Sequence, residues 1–281
     1  MEVNTHVDFL VIGHITKDLQ PDGFTLGGTA TYASLTAHRL GRRTAILTRS
    51  EPFVSQNGLY HGIDVHVLPS TSTTTFRNIY QNGRRLQFVS DVAAPITVAD
   101  IPSQWRYPRI VLLGPVAQEV DPNLAAAFPH SLVGVVPQGW LRRWDSSGRV
   151  YPKQWDHATS ILRAARVLVL SEEDLAGDLS PLEEYKRHAE IVVLTEAWRG
   201  CTVHWRGKTY PIPPRPANEV DPTGAGDVFA AAFLIRLEET GDPLISARFA
   251  NVVASFSVEA PSVTGIPTRE MVEAWLAQHP I

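Results

Sequence analysis

Asp221-Pro222-Thr223-Gly224-Ala225-Gly226-Asp227 runs directly into Val228-Phe229-Ala230-Ala231-Ala232-Phe233-Leu234-Ile235. An extended, proline-containing stretch feeds a turn of small residues, and the turn opens a strongly apolar helix. Small residues let backbone N–H groups approach an anion unobstructed, and the first amides of a helix are unpaired and carry the positive end of its dipole. A phosphate placed there gains several hydrogen bonds without a lysine, which matters because the chain has no GxxxxGK[ST] loop. Asp227 lies one residue past this cradle, in the first helical turn, where the dipole stabilises its anion and weakens it as a base. Moving a phosphoryl group depends mainly on positioning and charge neutralisation, so a carboxylate touching a hydroxyl beside the cradle meets the need. The helix from Val228 to Ile235 reads as fully buried and makes a rigid mount. A lone Gly-Ala-Gly before a helix is usually only a tight turn; the longer string with an aspartate at each end is far more specific.

On either side of this segment, short apolar runs alternate with helical ones. Phe9–Ile12, Ala45–Leu47, Ile110–Leu113, Val133–Val136, Val167–Leu170 and Ile191–Leu194 each read as strands covered on both faces. Ala30, Ala33, Ala37 and Leu40 follow helical spacing, with Gly41 placed as a C-terminal cap; further helices are expected over His157–Ala165 and from Pro181 to Ala189. The chain turns helical to its end over Ala225–Glu239, Leu244–Val258 and Thr268–Gln278. Strand alternating with helix implies an α/β fold with a mostly parallel sheet. Two hairpins break the rhythm. Thr73–Gln81 and Arg84–Asp91 flank Asn82-Gly83, a strong hairpin signal, and Thr202–Trp205 with Lys208–Ile212 flank Arg206-Gly207 as a continuation of the sheet. Pattern alone favours the first as an edge decoration, with a lid as the other reading.

The chain has 281 residues, 44% of them hydrophobic and 19% charged, enough to bury a substantial core. A net charge of −4 without acidic or basic blocks argues against nucleic-acid binding, which needs a clustered positive field. Cys201 stands alone, so no disulfide framework or cysteine metal site is available, and the reducing cytoplasm is the simplest compartment. The N-terminal MEVNTHVDFLVIGH lacks a secretory pattern, and no apolar run is long enough to span a bilayer. His6 and His14 are too isolated to propose as metal ligands.

DPTGAGD followed by an apolar helix resembles the C-terminal signature of the ribokinase-like, or PfkB-type, carbohydrate kinases, and the resemblance extends over nearly the whole chain. It implies a three-layer α/β/α fold with a small β lid, as one domain over 1–281 with the lid formed by about 16–26 and 72–92. It implies phosphorylation of a sugar, cyclitol or nucleoside hydroxyl by ATP with Mg²⁺, and room for a monovalent cation. Carried over, Asp227 is the base, and Gly224, Ala225 and Gly226 form the amide cradle. Gly27-Gly28 before the alanine-rich helix resembles the family's first signature, and Asp18, five residues past Gly13, matches its substrate-binding carboxylate. A carboxylate accepting two hydroxyl hydrogen bonds is a natural polyol clamp, with a solvated loop acid as the plainer reading.

Other positions depart from the family's pattern. Ser171-Glu172-Glu173-Asp174 stands where Asn-x-x-Glu organises magnesium. Ser171 and Asp174 keep one hydroxyl and one carboxylate; Glu173 competes, and the segment also reads as a capping box. Thr195 and Gly200 keep two members of a nucleotide-side Thr-x-Gly-x-x-Gly loop whose first glycine is Ala197 here. The resemblance also places Thr223 and Asn251 on the nucleotide side, although an Asn in a helix is more often a packing residue. Gln138, in Pro137-Gln138-Gly139-Trp140-Leu141-Arg142-Arg143-Trp144-Asp145, lies beyond a strand end where parallel sheets collect ligands. Together with Thr73–Tyr80 (TTTFRNIY), this segment is most similar to the inositol kinase branch; its arginines are either solvated or include one that reaches phosphate, and its tryptophans otherwise read as core. The acceptor expected is therefore a small polyol, first a cyclitol such as myo-inositol, with ribose- or fructose-type sugars and nucleosides behind it. A catalytically silent polyol- or nucleotide-binding protein is the alternative of another class. A dinucleotide-dependent oxidoreductase is excluded because Gly13-His14-Ile15-Thr16 supplies no GxGxxG. No nucleic-acid or membrane partner is expected, and the chain is read as a monomer or a homodimer.

Overall fold

The computed structural model describes residues 7–280 apart from 53, 55–57, 82 and 83. His6 and the Asn82-Gly83 turn therefore lie outside the described residues. In chain order the elements are β1 (Phe9–Ile12), β2 (Thr16–Gln20), β3 (Gly23–Gly27), α1 (Thr29–Arg39), β4 (Thr44–Ser50), β5 (Asp64–Pro69), β6 (Thr75–Gln81) and β7 (Arg84–Asp91). There follow β8 (Ile110–Leu113), β9 (Leu132–Val135), β10 (Arg142–Trp144), β11 (Val150–Pro152), α2 (Ala158–Ala164), β12 (Val167–Ser171) and α3 (Leu182–His188). The chain closes with β13 (Ile191–Thr195), β14 (Cys201–Trp205), β15 (Lys208–Ile212), α4 (Ala225–Thr240), α5 (Pro243–Ser257) and α6 (Arg269–Gln278).

The central sheet has the order β15-β14-β13-β12-β9-β8-β1-β4-β5. From β13 to β5 every neighbouring pair is parallel, and β14 and β15 join antiparallel at one end. Its central strands β1 and β8 are apolar throughout because both faces are covered. On β1, Phe9 and Val11 point to one core and Leu10 and Ile12 to the other. The first core holds α1, α4 and α5, with Val272 of α6. The second holds α2, α3 and the loops carrying Trp140 and Trp155. The result is a three-layer α/β/α fold. Along α4 every side chain from Val228 to Ile235 is buried. At about 1.5–3 kcal/mol for each large apolar side chain, that burial anchors the helix whose first turn carries Asp227.

Several elements differ from the sequence expectation. The β6–β7 hairpin does not decorate the edge of the central sheet. It joins β2 in parallel, at Lys17↔Thr75 and Asp18↔Phe76, and forms a separate sheet of order β3-β2-β6-β7. Residues 16–27, assigned to the lid by the resemblance without defined strands, are the β2–β3 hairpin, whose outer positions are exposed and so lack an apolar signature. β5 is an edge strand with Asp64 and His66 both exposed, and β10–β11 is a short hairpin with no counterpart in the sequence reading.

Candidate active site

The turn before α4 is built by Asp221. One carboxylate oxygen accepts the Thr223 amide at 2.9 Å and the other the Ser262 amide at 2.8 Å. Burial pulls this carboxyl upward, but those hydrogen bonds outweigh it and hold Asp221 below the usual carboxylate value. Thr223 itself is exposed. Gly224 takes φ +77, the left-handed region open to glycine, and a Cβ there would run into the Tyr32 ring. The Ala225 amide is committed to the Pro222 carbonyl at 3.1 Å, while Val228 N–H begins the helical ladder on the Gly224 carbonyl. Among the described residues the amides of Gly226 and Asp227 have no hydrogen-bond acceptor. They are the open donors of the cradle, aligned with the positive end of α4.

Asp227 keeps some solvent contact at the cleft yet is packed round by protein. Burial pushes its carboxyl up to about 6; a hydrogen bond from the Thr29 hydroxyl opposes this, the Asp174 charge adds to it, and the Arg142 charge opposes it. The carboxyl is therefore more basic than its place in a first helical turn alone implies. The four side chains come from separate strand or helix ends. Thr29 opens α1 and packs its methyl against Gly114 beyond β8, where no Cβ would fit. Asp174 follows β12, and Arg142 follows the turn after β9. The Arg142 guanidinium donates to the Val116 carbonyl at 3.3 Å and lies over the Phe76 ring, 5.7 Å from its centroid. Its own carbonyl accepts Gln118 Nε2 at 2.5 Å. A loop after β8 thus grips this residue at both ends.

The opposite wall carries Asp18 on β2. Its carboxylate accepts the Thr16 hydroxyl at 3.2 Å and covers Gly27, where a Cβ would collide with it. Gly28 caps α1 at φ +82, where a Cβ would run into the His14 carbonyl. Tyr32 stands between the walls. Burial raises its phenol to about 12, the Ser262 hydroxyl opposes the rise, and Asp18, Asp221 and Asp227 each add to it. One tyrosine therefore lies within electrostatic reach of the aspartates on both walls.

The sequence pattern of the pfkB family carbohydrate kinases matches residues 156–269, the stretch that contains this turn. Over that stretch the chain is similar to the PfkB carbohydrate kinases. An inositol 3-kinase of Zea mays is 29% identical over 269 residues, covering 88% of this chain and 68% of the maize protein. A pyrophosphate-dependent kinase in the ribokinase family, solved with a pyrophosphate analogue and myo-inositol, superposes with TM-score 0.77 at 22% identity, over 95% of this chain and 99% of that one. Ribokinase of Arabidopsis thaliana, complexed with ribose and ATP, gives TM-score 0.72 at 17% identity over 96% and 99%. These structures share the ribokinase fold, and the chain is a phosphotransferase with an alcohol acceptor.

The remaining candidate positions divide between cleft and scaffold. Ser171 and Asp174 form a reciprocal cap: Asp174 Oδ2 accepts the Ser171 amide at 2.8 Å and hydroxyl at 2.9 Å, and the Asp174 amide donates back to the hydroxyl. Oδ1 of Asp174 has no protein donor among the described residues. Glu173 is exposed. The described residues contain no cluster of three His, Cys, Asp or Glu side chains able to hold a metal. Mg²⁺ is nonetheless commonly held by one or two carboxylates with substrate phosphates completing its shell, and Asp174 beside Asp227 fits that pattern. The Thr195 hydroxyl donates to the Leu170 carbonyl at 3.4 Å, and Gly200 sits at φ +94 against the Ile212 carbonyl. Ala197 keeps a left-handed φ of 52, the conformation a glycine would take at lower cost. Asn251 spends its amide on the Ile212 and Pro213 carbonyls, both at 3.1 Å, tying α5 to the end of β15. Gln138 lies half-buried in the turn beneath Pro115 and Val116. Trp140 stacks on Trp155 at 5.5 Å, both in the core. Sequence reasoning missed Thr29 and Tyr32, which have no local motif, and did not choose Arg142 from its neighbours.

Proposed function

We propose that this chain transfers the γ-phosphoryl group of ATP to a hydroxyl of a small polyol, with a cyclitol such as myo-inositol as its preferred acceptor. The observation that carries the reading is the Asp227 carboxyl at the mouth of α4, beside the open amides of Gly226 and Asp227. The amides take the γ-phosphate oxygens. Asp227 accepts the proton as the acceptor oxygen bonds to phosphorus and the bond to the β-phosphate oxygen breaks, leaving ADP. A carboxyl near pKa 6 is ionised at neutral pH yet basic enough to hold a proton during transfer. Arg142 offsets the charge of the moving phosphoryl group. Mg²⁺, held from the Asp174 side, would neutralise the triphosphate.

Asp18 and the Gly27-Gly28 turn supply the polyol side, where a carboxylate clamps two hydroxyls. The β3-β2-β6-β7 sheet acts as a lid whose closure excludes water and so protects ATP from hydrolysis. The inositol 3-kinase relative supports a cyclitol over a furanose. The test is steady-state transfer to myo-inositol, ribose, fructose and cytidine with ATP, and with pyrophosphate as the comparison donor. The expected result is the highest kcat/KM for myo-inositol with ATP. A preference for ribose, fructose or cytidine would replace the cyclitol, and binding without any transfer would replace the kinase with a silent binding protein.

A further inference from the structure

His14 ends β1 and is wholly buried, and the chemistry proposed above does not use it. Its Nε2 lies 3.1 Å from the Ala94 carbonyl, which can only accept, so Nε2 carries the proton. Its Nδ1, 2.7 Å from the Thr74 hydroxyl, is then the acceptor and Thr74 the donor. Burial holds this imidazole below its ordinary pKa, against the pull of Glu119 and the Ala94 carbonyl, with Arg49 lowering it slightly further, so it is neutral at pH 7. The same Thr74 oxygen accepts the Ala93 amide at 3.0 Å. Thr74 immediately precedes β6, and Ala93 and Ala94 lie just past the end of β7. One imidazole therefore joins both roots of the β6–β7 hairpin.

The ring is anchored to the core through its own backbone. Glu119, also buried, accepts the His14 amide at 3.0 Å and the amides of Val116 and Ala117. The His14 carbonyl abuts Gly28 at the cap of α1. On the other side, the Thr74 carbonyl accepts the Lys17 amide at 2.9 Å, and β2 pairs with β6 at Lys17↔Thr75 and Asp18↔Phe76. A displacement of Thr74 would therefore move the strand that carries Asp18.

We propose that His14 is a positioning residue that fixes the root of the small sheet against the end of β1, and thereby sets the place of Asp18 and the affinity for the acceptor without touching phosphoryl-donor binding. The proposal rests on the kinase reading for its substrate, while the anchoring itself has a readout of its own.

The experiment compares His14→Ala, Thr74→Val, their double variant and His14→Gln with the wild type. His14→Ala is expected to raise the acceptor KM about ten-fold, the factor one lost buried hydrogen bond is worth, with the donor KM within about two-fold. Thr74→Val should do the same, and the double variant should be no worse than either, because both remove one shared interaction. His14→Gln, which can accept and donate at similar points, should recover most of the affinity. Amide hydrogen exchange over residues 75–92 should accelerate in His14→Ala whether or not transfer is measured. A lowered melting temperature with the acceptor KM unmoved, equal rises in both KM values, or additive single variants would overturn the proposal. Faster exchange in the variant of a protein that transfers to no polyol would uphold the anchor and defeat the kinase reading instead.

Discussion

Replacing Asp227 by Asn keeps the shape of the side chain and removes its charge, so it separates two consequences of burial. The first is catalytic. Loss of a positioned base lowers turnover by about 10²–10⁴, or about 2.7–5.4 kcal/mol of barrier, with the donor KM close to normal because the Gly226 and Asp227 amides remain. The second is a gain in stability. The folded carboxyl is raised from 3.8 to about 6, so ionisation is harder in the folded chain than in the unfolded one. The cost is absent below the unfolded pKa, grows as pH rises, and is complete above about 6. Two pKa steps at about 1.4 kcal/mol each give about 3 kcal/mol as a ceiling, and solvent contact at the cleft reduces this to about 1–3 kcal/mol. Asp227→Asn is therefore expected to melt a few degrees above wild type at pH 7.5, with roughly half of that gain left at pH 5. Coupled ADP release and thermal unfolding at the two pH values measure both effects. The wild-type rate should itself fall as pH drops through about 6, where the base is protonated. Unchanged turnover would remove Asp227 from the chemistry, and a stability gain equal at both pH values would show that charge burial is not its source.

Gly224→Ala places a methyl at φ +77 and into the Tyr32 ring; the two penalties together predict a loss of about 2–4 kcal/mol, read from the urea midpoint at constant slope, with turnover falling as the cradle shifts. A midpoint within experimental scatter of wild type would show that the turn is not held as described. Ala197→Gly relieves a left-handed φ of 52 and should raise stability by about 0.5–1 kcal/mol with little change in donor KM; destabilisation would mean that no strain resides there.

The central strands were legible because a strand covered on both faces is an unbroken apolar run, as in Phe9–Ile12 and Ile110–Leu113. The strands that escaped are half-exposed. β5 follows an alternating burial pattern with polar Asp64 and His66, and the outer half of β3 is exposed. The β6–β7 hairpin was legible as a hairpin, but which sheet it joins depends on its pairing with Lys17 and Asp18, far away in the chain. No local signal carries that choice.

The same division runs through the candidate site. The proposed phosphate cradle is readable because its donors are consecutive backbone amides, and the residues that free them are consecutive too. Even so, the structure assigns the Ala225 amide to Pro222 and leaves the next two open. Arg142 shows the opposite case. In Arg142-Arg143 the two cations are equivalent on paper, and only the register of β10 against β11 separates them. Arg143 pairs with Tyr151 and lies over its ring at 5.3 Å, whereas Arg142, on the other face, turns to Val116 and Phe76. His14 is harder still, since its partners Thr74, Ala94 and Glu119 belong to three other segments. Groups that bind through contiguous backbone announce themselves in sequence. Groups that act through one side chain acquire their meaning only when the sheet order brings strand ends together, and in a parallel sheet those ends are where the chemistry collects.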